Sequence, residues 1–92
     1  MAWATARHIL VDTEERCNEI KAEIEAGLDF GEAAKANSNC PSKAQGGDLG
    51  KFGPGQMVPE FDQAIFSGDV GVLYGPIQTD FGFHLIDITG RG

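Results

Sequence analysis

Residues 46–61 read Gly46-Gly47-Asp48-Leu49-Gly50-Lys51-Phe52-Gly53-Pro54-Gly55-Gln56-Met57-Val58-Pro59-Glu60-Phe61. Five glycines and two prolines stand there around four large apolar side chains, Leu49, Phe52, Met57 and Phe61. Glycine at this density lets a backbone turn sharply or pass close to another surface. Pro59 pushes Val58 toward an extended conformation and can itself open a helix, where its missing N–H costs nothing. The stretch therefore predicts a short strand over 49–52, a glycine-rich turn and a helix from about Pro59. Met57 and Phe61 would then flank one corner with Leu49 facing them, as in the wall of a small apolar pocket. Taken alone, the same side chains read more readily as ordinary core.

Working outward, residues 4–11 alternate Ala6, His8 and Leu10 against Arg7, Ile9 and Val11, the period of a strand. Asp12 followed by Glu15 reads as a capping box. Behind it Cys17, Ile20, Ile24 and Leu28 form a helical stripe that Gly27 should end near residue 26. The outer face of that helix carries Glu14, Glu15, Glu19, Glu23 and Glu25 against Arg16 and Lys21, the pattern of a solvated surface. Asp29 and Glu32 cap a second, alanine-rich helix to about Asn37. A polar turn over 37–42 follows, with one further helical turn after it. Beyond the glycine-rich block, Phe61, Ala64 and Ile65 predict a two-turn helix ending near Ser67-Gly68. Residues 69–74 read as a loop. Residues 75–79 and 83–88 read as the last two strands, joined by a tight turn at Asp80-Phe81-Gly82. The order strand, helices, strand, helix, strand, strand is that of an α+β domain with one mostly antiparallel sheet.

Bulk properties narrow the function classes. Ninety-two residues, 41% hydrophobic and 23% charged, suit one domain, residues 1–92, with one modest core. A formal charge of -7 argues against nucleic acid and against anionic membrane surfaces as partners. No apolar run has the length of a membrane span, and the first residues lack the order of a signal peptide. A cytoplasmic protein is the expectation. Cys17 and Cys40 show no CxxC or zinc-type spacing and read as two free thiols of a reducing compartment.

Three blocks, with Asn39-Cys40-Pro41-Ser42 between them, carry a family resemblance. They are Ala6-Arg7-His8-Ile9-Leu10-Val11, the glycine-rich stretch, and Thr79-Asp80-Phe81-Gly82-Phe83-His84-Leu85-Ile86. Over nearly the whole chain the sequence resembles the parvulin-type peptidyl-prolyl cis/trans isomerases, and most of all their small single-domain prokaryotic members. The resemblance implies a four-stranded antiparallel sheet surrounded by four helices, β-α3-β-α-β2, with the first and last strands side by side at its centre. It implies that His8 and His84 hydrogen-bond beneath the active site and that Thr79 supplies a hydroxyl to the pair. Cys40 matches a position, near the substrate carbonyl, that the family fills with Cys or Asp. Leu49, Met57 and Phe61 match the pocket for the substrate proline ring, which Phe81 flanks, and Gln56 matches a residue whose backbone holds the substrate chain. The implied activity is noncovalent rotation about X–Pro bonds in peptides and in unfolded or nascent protein segments. No cofactor or metal is expected, and a monomer is.

Other readings of these residues exist. Cys40 with His84 could form the nucleophile–base pair of a thiol hydrolase, but no third member stands out. His8, Cys40 and His84 could bind zinc, but no further ligand or water-activating carboxylate is evident. A peptide-holding chaperone domain of the same fold, with weak turnover, is the closer rival. The phosphoprotein-specific branch of the family carries a basic loop after the first strand. Here that place reads Val11-Asp12-Thr13-Glu14-Glu15, so phosphoserine specificity does not carry over.

Overall fold

Strand β1 (Ala4–Val11) has two buried faces, and the two halves of the core grow from them. The computed structural model describes residues 2–39 and 41–92, with the backbone alone at residues 41 and 42. Successive side chains of a strand point to opposite sides. Ile9 and Val11 join Leu85, Cys17, Ile20, Phe30, Ala33 and Ala34 on one side. Ala4 and Ala6 join Phe52, Phe61, Ile65, Ile86 and Ile88 on the other. Helices α1 (Glu14–Glu25) and α2 (Phe30–Asn37) supply residues to the first half, and α3 (Pro59–Ser67) to the second.

The sheet has the order β2-β1-β4-β3, with β2 at Asp48–Phe52, β3 at Leu73–Thr79 and β4 at Gly82–Arg91. All three pairings are antiparallel, and the first and last strands lie together at the centre. In that central pair His8 stands opposite Ile86, and Leu10 opposite His84. The two histidines are thus diagonal neighbours on one face, within reach of each other's rings.

Most local expectations hold, for the reasons given. Gly27, at φ 119, ends α1. Its N–H bonds the Ile24 carbonyl while the Leu28 N–H reaches back to Glu23, the paired closure that such a glycine permits. Asp29 caps α2 by accepting from the Glu32 N–H at 3.1 Å. Val58 is extended and Pro59 is the first residue of α3.

Four details differ from the sequence reading. Thr13, not Asp12, caps α1, its Oγ1 accepting from the Arg16 N–H at 3.2 Å. The carboxylate of Asp12 instead accepts from Asn39 Nδ2 at 3.1 Å, a tertiary partner that no local rule could supply. The helical turn expected after the polar cluster is a five-residue 3-10 segment, Pro41–Gln45, rather than α-helix, so among the described residues three α-helices and this turn fill the four helical places expected. Strand β3 begins at Leu73 because Leu73 and Tyr74 pair with Asp87 and Ile86, with a register irregularity before Ile77. Strand β4 runs past Ile88 to Arg91 because Gly90 and Arg91 still pair with Thr5 and Ala4.

Candidate active site

The outer edge of β1 is completed by two separate pieces of chain, residues 47–52 and residues 38–39. Residues 4–7 pair with β2. The His8 N–H then donates to the Gly47 carbonyl at 2.9 Å. At Leu10 the N–H donates to Ser38 Oγ at 3.1 Å, and the carbonyl accepts from the Asn39 N–H at 2.7 Å. These substitutions draw the glycine-rich stretch and the segment before Cys40 against the same strand. Between them, on the face that α3 only partly covers, a cavity of about 460 Å³ opens.

Its lining is His8, Leu10, Asn39, Leu49, Met57, Val58, Phe61, Phe81 and His84. Phe61 is buried at the base, edge-on to the His84 ring at 4.5 Å and to the His8 ring at 5.3 Å. Leu49, Met57 and Val58 are half-buried, whereas Phe81 is 69% exposed. Pocket and core meet at this base, because Phe61 belongs to both.

The imidazoles of His8 and His84 stack with centroids 5.5 Å apart, and their Nδ1 atoms approach to 3.3 Å. His84 Nε2 lies 2.7 Å from Thr79 Oγ1, which also accepts from the Phe81 N–H at 3.2 Å. A neutral imidazole carries one donor and one acceptor, so the two rings and the hydroxyl can share protons in either direction along the chain. Burial lowers the pKa of His8 to about 4; burial, then the neighbouring charge of His8, lowers His84 to about 4. At neutral pH both rings are uncharged and the base of the cavity is apolar apart from dipoles. Both ring nitrogens of His84 are engaged, which leaves none to ligate a metal or to activate a thiol.

Of the nine residues singled out from sequence, seven fall in or under this cavity: Leu49, Met57, Phe61, Phe81, His8 and His84 line it, and Thr79 lies behind His84. Gln56 does not line it. Its side chain turns back to accept from the Gly53 N–H at 2.6 Å. Cys40 lies outside the described residues. Leu10, Asn39 and Val58 complete the lining and were missed. Leu10 was legible, since it stands two positions from His8 on the same strand face. Asn39 was not, because its place depends on the edge of β1. Cys17, buried in the other half of the core with its thiol pushed up to about 11, is chemically quiet.

Residues 6–90 match the family described as "Rotamase: PPIC-type PPIASE domain". The chain belongs to the PPIC-type peptidyl-prolyl isomerase family. It is 46% identical over 87 residues to a protein named "Foldase protein PrsA" of Geobacillus kaustophilus, covering 94% of this chain and 31% of that protein. The chain thus spans about a third of the length of the curated relatives it matches. A crystal structure of the peptidylprolyl isomerase PrsA from Bacillus anthracis superposes with a TM-score of 0.96 at 40% identity, over 99% of this chain and 42% of that one. A second solved structure, the parvulin NmPin of Nitrosopumilus maritimus, gives 0.87 at 34% identity and is covered over 98% of both chains.

Proposed function

We propose that the cavity receives the proline ring of an X–Pro peptide and that the chain accelerates cis/trans rotation about that bond, without covalent chemistry and without a phosphate requirement. The observation that carries this reading is an apolar cavity whose base is a pair of neutral imidazoles turned toward each other. The barrier to rotation is amide resonance, and the twisted amide has less charge separation than the planar one. A site that holds the ring in apolar surroundings favours the twisted state over the planar one, and only such differential binding accelerates the reaction. Bringing an uncatalysed exchange of roughly 10–100 s to milliseconds requires about 5.5–7 kcal/mol. The ring held against Leu49, Met57 and Phe61 and the anchored flanking chain supply that difference only through contacts that strengthen as the amide twists.

Two features support the absence of a phosphate clamp. The connection from β1 to α1 is only Asp12 and Thr13, and Asp12 is already bonded to Asn39. Phosphate adds about −1.5 to −2 charge and would meet a carboxylate there rather than a cation. Proline-containing client segments are the partners, acting on a monomer. A cytoplasmic setting is compatible with the unbridged Cys17, and cell fractionation tests it. Among the described residues no helix is long and apolar enough to cross a membrane.

A proline-limited refolding assay tests the proposal. Catalysis predicts that substoichiometric protein shortens the slow phase. A peptide-holding domain would slow refolding or leave the rate unchanged, and that result sinks the reading. Cys40→Asp and Cys40→Ala extend the test to mechanism: a noncovalent site keeps substantial activity with Asp and some with Ala, whereas a nucleophile loses all turnover in both.

A further inference from the structure

Resting on that reading, we infer that Asn39 is a substrate-binding residue of the cavity. Its side-chain amide oxygen, turned by Asp12, accepts a main-chain N–H next to the substrate proline. Proline itself has no N–H, so in X–Pro–Y the nearest donors belong to X and to Y. When the ring enters an apolar cavity those N–H groups leave water, and an unsatisfied one costs more than a bonded one returns. The lining offers few acceptors for them. Leu10, Leu49, Met57, Val58, Phe61 and Phe81 have none in their side chains, both ring nitrogens of His84 are already engaged, and His8 is buried at the base with its Nδ1 turned to His84.

Asn39 lies at the exposed rim of this lining and is held from two sides. Its backbone N–H donates to the Leu10 carbonyl at 2.7 Å, and Nδ2 donates to Asp12 Oδ1 at 3.1 Å. An ionised carboxylate only accepts, so the amide must present its NH₂ to Asp12 and its carbonyl oxygen elsewhere. The orientation of Asn39 is therefore set by charge rather than left to rotate, and among the described residues no protein donor occupies the Oδ1. The same contact accounts for the capping of α1 by Thr13. Asp12 stands one residue before the helix cap, and its carboxylate is committed to Asn39 instead.

Depsipeptides, in which an ester oxygen replaces one N–H, read the contact directly. Catalytic efficiency is measured on an X–Pro–Y peptide and on the two esters lacking the N–H of X or of Y, with the wild-type chain, Asn39→Ala and Asp12→Ala. Melting temperatures confirm that each variant is folded. One ester should cost the wild type about 5–10-fold, the worth of a single hydrogen bond to a neutral acceptor. The same ester should cost Asn39→Ala less than about twofold and Asp12→Ala an intermediate factor, because the freed amide can flip. Asp12→Ala keeps the Asn39 backbone bond, so it decides the matter even if Asn39→Ala does not fold. Equal penalties in wild type and variants for both esters would overturn the assignment. If the unmodified peptide is not turned over, the isomerase reading fails, and the same ester penalties read as affinities still decide the role of Asn39.

Discussion

Phe61 touches both imidazoles edge-on and is only 4% exposed, so a single side chain serves as pocket base and as core. Phe61→Ala should consequently lose both activity and stability, the latter by roughly 3–5 kcal/mol, measurable by urea denaturation beside turnover. Met57 is half-buried and belongs to the cavity wall, which makes it the cleaner probe of the pocket. The imidazoles themselves predict a pH response. The chain has only two histidines, and both sit in this pair, so no other side chain titrates with an ordinary pKa between pH 5 and 7. Each has a folded pKa of about 4 against an unfolded value near 6.5, so between these values the unfolded chain binds more protons. Stability should be flat from pH 7 to 8 and fall as pH drops from 6.5 toward 4, and His84→Gln should roughly halve the part of that fall above pH 5, leaving the share of His8. A melting temperature unchanged between pH 7 and 5 would show that the pair is not held neutral. The pair was legible from the strand pattern only as two histidines on two strands. Their meeting depends on β1 and β4 being neighbours, which the family resemblance implied and sequence order alone did not.

At the level of elements, the glycine-rich stretch works through one close approach. A Cβ on Gly47, where φ is 86, would lie 2.4 Å from the His8 carbonyl oxygen, whereas a Cβ on Gly50, at φ 73, would meet nothing within 4 Å. Gly50→Ala should cost about 1 kcal/mol of backbone strain. Gly47→Ala should cost at least twice that and lower turnover as well, because it pushes the stretch away from the strand that carries His8. Paired denaturation curves and rates check this, and equal costs at the two positions would contradict it. Elements whose punctuation is local were readable from their own residues: Pro59 opening α3, Gly27 closing α1 and Asp29 capping α2. Those set by distant partners were not. Asp12 is diverted to Asn39, Leu73 and Tyr74 are drawn into β3 by β4, and residues 38 and 39 take the place of a strand beside Leu10. One member of the cavity lining, Asn39, comes from that last substitution.

Across the whole molecule the net charge of -7, with five glutamates on or beside the outer face of α1, repels anionic peptides at long range. X–Pro peptides with an apolar or basic X should be turned over faster than those with glutamate or phosphoserine. The gap should narrow as salt shortens the screening length from about 10 Å at 0.1 M toward 3 Å at 1 M. Faster turnover of the phosphopeptide would instead reveal a cationic site. Charge modulates encounter, whereas the turning of X–Pro bonds is assigned to the apolar cavity itself. The most direct measurement is the cis-to-trans rate of an Ala–Pro peptide with the wild-type chain and with Met57→Ala, each beside its melting temperature. Strong acceleration by the wild type is expected, with at least a tenfold loss in Met57→Ala, about 1.4 kcal/mol of transition-state binding, and only a small shift in melting. Full activity in a folded Met57→Ala, or binding of the peptide by the wild type without acceleration, would contradict this assignment.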